Sequence, residues 1–369
     1  MTSAVASTRD ARPAPSFPAR AAASIRQLFP WRAVVLPWLV SRLLCAAVIV
    51  AARSWPFDDG VRFRGFQIWD GVWYTAIARD GYGALPGGAL QTRWPFFPLF
   101  PGLMRGFGEL GIGDQAATVV FNQLVLLLAF AGVYRLARRH ASPEASVLAV
   151  WALAVFPGSF LFSMIYPSAI FLAATVWAFV LVEDRADVAA AVVAAVAAVA
   201  RPNGILLLLA LAVALRSWRR IAVVCTPAVL AVAVWCGWLW DRTGDPLVFW
   251  TAKAAWPEVS ALDLVTEPWR YDYAWPHLVL GVAAAWVVWR QRRRLPTSWI
   301  VWTAAVLVPP LVTGTVGLGR YANECFPPFV AAGQVLEGWS RRARSVAFAL
   351  SVLGLLFAAV MVIRFKRIP

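Results

Sequence analysis

One carboxylate stands between tryptophans in a segment with helical spacing. Residues 66–82 read FQIWDGVWYTAIARDGY, and Asp70 directly follows Trp69. Trp69, Trp73 and Ile77 recur every four residues, which predicts a helix with an aromatic face lying in a membrane interface. Asp70 would then cap the helix by accepting from free N–H groups, or act as a general base, and one carboxylate can do both.

Several arginines interrupt apolar sequence, where a positive charge is costly. Arg201 begins the motif RPNG, and Arg320 precedes Tyr321 after a long uncharged run. An arginine in hydrocarbon costs about 2.5–3.5 kcal/mol on insertion scales, so it usually meets an anion or a carboxylate. Either side chain could therefore bind a ligand anion. The alternatives are that Arg201 snorkels to the interface and that Arg320 pairs with Glu324 at i, i+4 spacing. Arg42, inside the first apolar run, is interpreted as snorkelling or paired.

Prolines predict breaks in four apolar segments. They occur in WPFFPLFP (94–101), FPGS (156–159), YPS (166–168) and RPNG (201–204). Proline donates no backbone N–H, and irregular backbone inside a membrane must pack on protein or line a cavity. The apolar stretches on either side of RPNG are too short to cross a hydrocarbon core of ~30 Å, which predicts a broken helical hairpin.

Membrane helices must position these residues. Of the 369 residues, 61% are hydrophobic and 14% are charged, and the mean hydropathy is +0.67. Long uncharged runs with this composition exclude a water-soluble surface and predict an all-α polytopic membrane protein. The net charge of +15 comes from short arginine clusters between apolar runs. This pattern indicates membrane topology and argues against nucleic-acid binding.

The arginine clusters predict an orientation for the chain. Residues 1–32 form a cytosolic, arginine-rich tail, and residues 33–369 form a single membrane domain of about eleven transmembrane helices. The segments at about 53–114 and 241–274 are then outer loops, and they hold most of the acidic residues. The interfacial helix lies in the first outer loop. Any chemistry is therefore expected to face away from the cytosol.

Metal-ligand and disulfide patterns are weak in this sequence. The cysteines form no CxxC motif, so neither a disulfide framework nor a zinc site is predicted. The two histidines are far apart in the sequence. The adjacent Asp58 and Asp59 could bind a divalent cation, although the following Gly60 equally favours a turn. Apart from this divalent cation, the sequence indicates no cofactor.

Six sequence blocks follow one another in a distinctive order. They read WDGVWYTAIARDGY, WPFFPLFPGL, FPGSFLFSMIYPSAIF, ARPNGIL, DRTGDPLVFW and GRYANECFPPF, and they lie within about residues 33–335. In this order they resemble the PIG-V family, the second mannosyltransferases of GPI-anchor synthesis, and its bacterial homologues. The six blocks together are far more specific than any one of them.

The resemblance implies a GT-C glycosyltransferase bundle. Such an enzyme transfers a sugar, here expected to be mannose, from a polyprenyl-phosphate donor to a hydroxyl of a lipid or glycan acceptor on the non-cytosolic face, with inversion. By the family pattern Asp70 is the catalytic base. The expected contacts to the donor phosphate or substrate are Arg201, Asn203, Arg320, Tyr321, Trp69, Trp73, Tyr74 and Tyr166. An arginine- and alanine-rich chain with almost no lysine favours a bacterial plasma membrane.

One position departs from the family pattern. The family has a glutamate in its Tyr-Ser/Thr-Glu block, where this chain has Ser168. Because Asp70 is retained, a transferase is the leading hypothesis. The alternatives are a transporter or flippase for lipid-linked sugars, which would also use broken helices and intramembrane arginines, and a non-catalytic subunit that binds lipid. The missing glutamate favours the last of these.

Overall fold

Helices form the regular structure of the part of the chain that the computed structural model describes, which is residues 27–54, 66–67, 69–83, 92–255, 259–267, 269–271 and 274–363. The α-helices are α1 (Leu36–Ser54), α2 (Asp70–Asp80), α3 (Leu99–Glu109), α4 (Asp114–His140), α5 (Pro143–Val155), α6 (Ser168–Glu183), α7 (Asp187–Ala200), α8 (Leu207–Leu215), α9 (Trp218–Thr243), α10 (Val248–Thr251), α11 (Ala261–Thr266), α12 (Trp275–Gln291), α13 (Thr297–Leu307), α14 (Pro309–Thr313), α15 (Leu318–Asn323), α16 (Pro327–Glu337) and α17 (Arg341–Ile363). A π-helical turn, Trp31–Val35, precedes α1, and 3₁₀ segments occur at Pro157–Ser163, Pro202–Leu206, Ala252–Ala255 and Thr315–Gly317. Within these ranges there is no strand, which confirms the predicted all-α class.

Apolar helices of membrane-spanning length confirm an integral membrane protein. Within the described ranges four helices are long and apolar enough to cross a bilayer alone, namely Trp31–Ala51, α4, α9 and α17. The helix α5 and the 3₁₀ segment Pro157–Ser163 make a fifth if this bent pair is one span. Shorter apolar helices include α6, α7 and the segments Pro202–Leu215 and Thr297–Val312. The number of about eleven crossings stays a prediction.

Ion pairs gather the arginine-rich loops at one end of the bundle. Arg139 at the end of α4 pairs with Glu183 at the end of α6, with 3.0 Å between Nη1 and Oε2. Arg220 in the first turn of α9 pairs with Asp187 at the start of α7 at 2.6 Å. Arg344 in the first turn of α17 pairs with the carboxylate in the first turn of α5. These arginine clusters lie at the same end of the bundle. This agrees with the prediction that an even number of transmembrane helices separates each cluster from the next.

The breaks fall at the predicted prolines. Helix α5 ends at Val155, and the chain bends by 69° into Pro157–Ser163. Helix α7 ends at Ala200, and the 3₁₀ segment Pro202–Leu206 leads into α8. Residues 92–98 form turns and bends before α3 begins at Leu99. These breaks place irregular backbone beside packed helices, where protein groups can satisfy it.

Arg42 shows how one break is stabilised. The residue is 9% exposed in α1, so it does not snorkel to the surface. Its guanidinium donates to Ser163 Oγ at 2.8 Å, Ser159 Oγ at 2.9 Å and the Ser159 carbonyl at 3.1 Å. No carboxylate of the described chain forms an ion pair with it, so snorkelling and pairing are both wrong interpretations. Its role here is to satisfy polar groups of the segment Pro157–Ser163.

The turn after α7 requires a glycine. A Cβ atom at Gly204 would lie 2.8 Å from the Cα of Ala198 and 2.6 Å from the carbonyl carbon of Ala197. Both are backbone atoms, which cannot rotate away as the end of a flexible side chain can. Glycine therefore permits the close approach of the turn to α7, and this approach fixes the position of Arg201 at the break.

Gly204→Ala should destabilise the protein strongly, because the added methyl group forces the turn away from α7. Thermal unfolding of the purified protein in detergent would measure the loss as a fall in Tm of several degrees. Gly237→Ala is the matched control, since nothing lies within 4 Å of a Cβ there and alanine is about 0.5–1 kcal/mol better than glycine inside a helix. Equal Tm values for the two variants would contradict the close approach.

Candidate active site

Helix α2 begins at Asp70, directly after a residue with unusual backbone. Trp69 has φ 48° and ψ −116°, a left-handed φ that residues other than glycine rarely adopt. The Asp70 N–H donates to the Tyr166 hydroxyl at 2.9 Å. Trp69 is the N-cap residue and no side chain caps the helix, so the predicted capping by Asp70 is not observed. A strained residue persists only where its surroundings fix it.

The aromatic residues of α2 pack differently from the predicted face. Because Trp69 precedes the helix, it does not continue a stripe with Trp73. Trp73 stacks on Phe96 with 5.9 Å between ring centroids, and Tyr74 meets Phe96 edge-on at 5.1 Å. Tyr74 is buried and lies 6.3 Å from the Tyr166 ring. These rings pack around the first turn of α2, beside Asp70.

Asp70 forms an ion pair with Arg320 of α15. The two side chains are 23% and 20% exposed, so this pair can be reached from outside the protein. The predicted pair between Arg320 and Glu324 is wrong. Although the Glu324 N–H donates to the Arg320 carbonyl at 3.2 Å, as helical spacing requires, the two side chains find different partners.

Glu324 pairs instead with Arg201 in the protein interior. The side chains are 0% and 5% exposed, which excludes snorkelling by Arg201. The oxygen that accepts from Arg201, Oε1, also accepts from the Ser168 hydroxyl. Ser168 is the position at which the PIG-V-like pattern has a glutamate. This part of the site therefore contains a carboxylate, but it comes from the end of α15.

The ring of Tyr321 contacts both guanidinium groups. The Cζ atoms of Arg201 and Arg320 are each 5.5 Å from the centroid of its ring. Arg320 also lies 5.8 Å from the ring of Tyr166. Cation–π contacts at these distances are attractive and become stronger where water is excluded. One ring thus connects the exposed ion pair with the buried one.

Three polar atoms around the pairs have no hydrogen-bond partner within the described chain. They are Arg320 Nε, Glu324 Oε2 and Asn203 Nδ2, and each is buried. Buried polar groups normally have partners, so these two donors and one acceptor are exceptions within the described chain. Asn203, which the sequence predicts as a binding residue, lies in the 3₁₀ segment directly after Arg201.

The site and the arginine-rich loops lie at different depths. Asn122 of α4 donates to the carbonyls of Met164 and Tyr166 at 3.3 Å and 3.0 Å, which places it beside the site. Helix α4 continues to His140 at the other end. At 1.5 Å per residue the separation along the helix is roughly 27 Å. This is close to the ~30 Å hydrocarbon thickness of a bilayer.

Glu324 is the site residue that the sequence did not single out. The sequence assigned it only as a helical partner of Arg320. Charge balance was the available signal, because two arginines in apolar sequence need a second carboxylate besides Asp70. As for metals, the described residues contain no group of three His, Cys, Asp or Glu side chains able to hold an ion. Asp58 and Asp59 lie outside the described residues.

The fold and the site define a helical, polytopic membrane protein with paired charges at one end. No protein-family profile and no curated protein sequence matches the chain. Three solved structures of the Archaeoglobus fulgidus oligosaccharyltransferase are similar to it. The apo form has 15% identity and a TM-score of 0.49 over 91% of this chain and 55% of its own.

The other two structures are similar to this chain to about the same extent. The form tethered to an acceptor peptide has 13% identity and a TM-score of 0.47 over 89% of this chain and 55% of its own. The complex of the enzyme, AglB, with an inhibitory peptide and a dolichol-phosphate has 14% identity and a TM-score of 0.47 over 89% and 56%. The chain thus spans little more than half the length of these proteins.

Glu324→Ala should lower the free energy of unfolding by about 3–5 kcal/mol, because it leaves the Arg201 charge buried without its partner. Arg201→Met combined with Glu324→Leu should recover most of that loss, since it removes both charges and keeps the volume filled. Denaturant unfolding of the single and double variants in mixed micelles would measure both values. A double variant as unstable as the single one would show that the pair is not the source of the effect.

Proposed function

We propose that this protein is a membrane glycosyltransferase that moves a sugar from a polyprenyl-phosphate donor to a hydroxyl acceptor. The observation that supports this most directly is the partly exposed Asp70–Arg320 pair, linked through Tyr321 to the buried Arg201–Glu324 pair. It provides a proton acceptor and cationic groups within one site. The six-block resemblance to the PIG-V family supports mannose as the sugar.

The proposed reaction is a direct displacement with inversion. Asp70 accepts the proton of the acceptor hydroxyl, the acceptor oxygen forms a bond to C1 of the sugar, and the bond from C1 to the phosphate oxygen breaks. Polyprenyl phosphate leaves with the bonding electron pair. Because a phosphate is already a stable leaving group, the step requires no general acid.

In the proposed step Arg320 would stabilise the negative charge as it moves. Before transfer the charge lies on the Asp70 carboxylate, and after transfer the proton neutralises Asp70 while the released phosphate gains a charge. A guanidinium that touches the first group and can reach the second stabilises both ends of this movement. Arg201 also contacts the ring of Tyr321 and would contribute positive potential, with its own charge balanced by Glu324.

A donor phosphate that binds Arg320 must compete with Asp70 for it. In the structure Arg320 donates to Asp70 Oδ2, so this oxygen is already occupied and does not meet an acceptor hydroxyl. Donor binding would draw Arg320 away and free Asp70 for the acceptor. The pair therefore favours an order in which the donor binds first.

The proposed site faces away from the cytosol. The separation of roughly 27 Å between Asn122 and His140 supports this, because positive loops remain on the cytosolic side. The lipid tails of donor and acceptor would reach the site from within the bilayer. The proposed location is a bacterial plasma membrane.

Asp70→Asn should reduce transfer by roughly 10²- to 10⁴-fold, since it removes the proton acceptor and keeps the side-chain size. The assay measures transfer of labelled mannose from polyprenyl-phosphate mannose into membrane lipids or glycans at matched expression. Asp241→Asn is the control, because this carboxylate on α9 is 76% exposed and has the same isosteric change. Full activity of a folded Asp70→Asn protein would exclude Asp70 as the base.

The same assay separates the competing functions. Movement of the labelled lipid across the membrane without a new glycosidic bond would indicate a transporter or flippase. Donor binding without transfer by either protein would indicate a lipid-binding subunit, and restored transfer on adding a second protein would identify its partner. The missing family glutamate at Ser168 was the argument for a non-catalytic lipid-binding subunit. Because Glu324 brings a carboxylate next to Ser168, that argument is weaker.

Asp70→Asn should also bind polyprenyl phosphate more tightly than the wild type does, because Arg320 no longer has a competing carboxylate. A gain of about tenfold corresponds to ~1.4 kcal/mol. Tryptophan fluorescence or calorimetry in detergent would measure the Kd, with Asp241→Asn unchanged. Equal or weaker binding by Asp70→Asn would exclude Arg320 as the phosphate ligand, whatever the transfer assay gives.

A further inference from the structure

An apolar groove of about 920 Å³ lies on the outside of the bundle between α1, α5 and α17. Trp151 and Val155 of α5 form part of its floor, and Phe348 and Ala349 of α17 form part of one wall. None of the residues that line the groove belongs to the charged site described above. Its volume is within the range of small-molecule binding sites, about 300–1,000 Å³.

The groove lies beside a place where α1 and α17 pack together. In their second halves Cys45 of α1 is clustered with Leu355 and Ala359 of α17. In their first halves Val40 of α1 and Phe348 of α17 line the groove.

Its length matches one leaflet. The groove runs along α5 from Glu144 to Val155, which is roughly 16 Å at 1.5 Å per residue. Half of a hydrocarbon core of ~30 Å is about 15 Å. A lipid chain anchored at one membrane surface would fill the groove and end at the break after Val155.

The membrane-surface end of the groove is basic. Arg341 and Arg342 begin α17, are exposed, and form no ion pair within the described chain. They precede Phe348 and Ala349 by seven residues, or about two turns, so they lie on the same face of α17 as these groove residues. Arg344 is already neutralised by its pair with a carboxylate of α5. Two unpaired cations therefore remain at the mouth.

We propose that this groove binds an acyl chain of an anionic phospholipid, whose phosphate headgroup contacts Arg341 and Arg342. Basic residues at the membrane surface attract anionic headgroups, and the groove receives the chain. The polyprenyl donor is a different molecule at a different place, because the mouth lies among the arginine-rich loops and Asp70 lies at the other end. The proposal is independent of the transferase activity.

Native mass spectrometry of the detergent-purified protein tests this, with phosphatidylglycerol and phosphatidylcholine of identical chains as probes. We expect phosphatidylglycerol to be retained at about thirtyfold lower concentration, in line with two surface arginines. Arg341→Gln with Arg342→Gln should abolish that preference. Arg293→Gln with Arg294→Gln, which removes two exposed charges from residues that do not line this groove, should leave it unchanged.

A second pair of variants tests the groove itself. Ala349→Trp should fill it and reduce retention of phosphatidylglycerol several-fold, while Val346→Trp, which is exposed on the same helix and does not line the groove, should not. Three results would overturn the proposal: equal retention of both lipids, equal loss from both arginine variants, or displacement of phosphatidylglycerol by polyprenyl phosphate. The last would assign the groove to the donor lipid.

Discussion

The buried pair between Arg201 and Glu324 is the interaction on which the charged site depends. A guanidinium and a carboxylate that are both withdrawn from water must neutralise each other, and the cost of separating them is several kcal/mol. Their contact joins the turn after α7 to the end of α15, and the Ser168 hydroxyl adds the start of α6. Three helix ends interrupted by proline or glycine are thereby held at one point.

The second pair lies next to the first. Arg320 is one helical turn before Glu324, and the guanidinium groups of Arg201 and Arg320 both contact the ring of Tyr321. On the opposite side the left-handed φ of Trp69 and the Tyr166 hydroxyl set the first turn of α2. Asp70 and Arg320 thus meet although 250 residues separate them in the chain. Neither side chain could be placed by its own helix alone.

Composition and proline spacing predicted the all-α membrane class and the breaks at Pro157 and Pro202, because both follow from local chemistry. Residue types also identified Asp70, Arg201 and Arg320 as charges in costly places. The sequence did not show which side chains these three charges pair with. Helical spacing paired Arg320 with the nearest carboxylate, whereas tertiary packing exchanged the partners. Likewise, the period of four could not show that Trp69 lies outside the helix, since its backbone conformation depends on contacts with residues 164–166.

Arg42 has a consequence for how the chain enters the membrane during synthesis. The first apolar segment carries this arginine before the serines that bind it exist, because Ser159 is 117 residues further along the chain. Until then the guanidinium must be hydrated or held near a headgroup, at an insertion cost of about 2.5–3.5 kcal/mol. We therefore expect the first helix to settle at its final depth after the segment Pro157–Ser163 has been made. At Arg42, assembly of the bundle thus depends on the order in which the segments are synthesised.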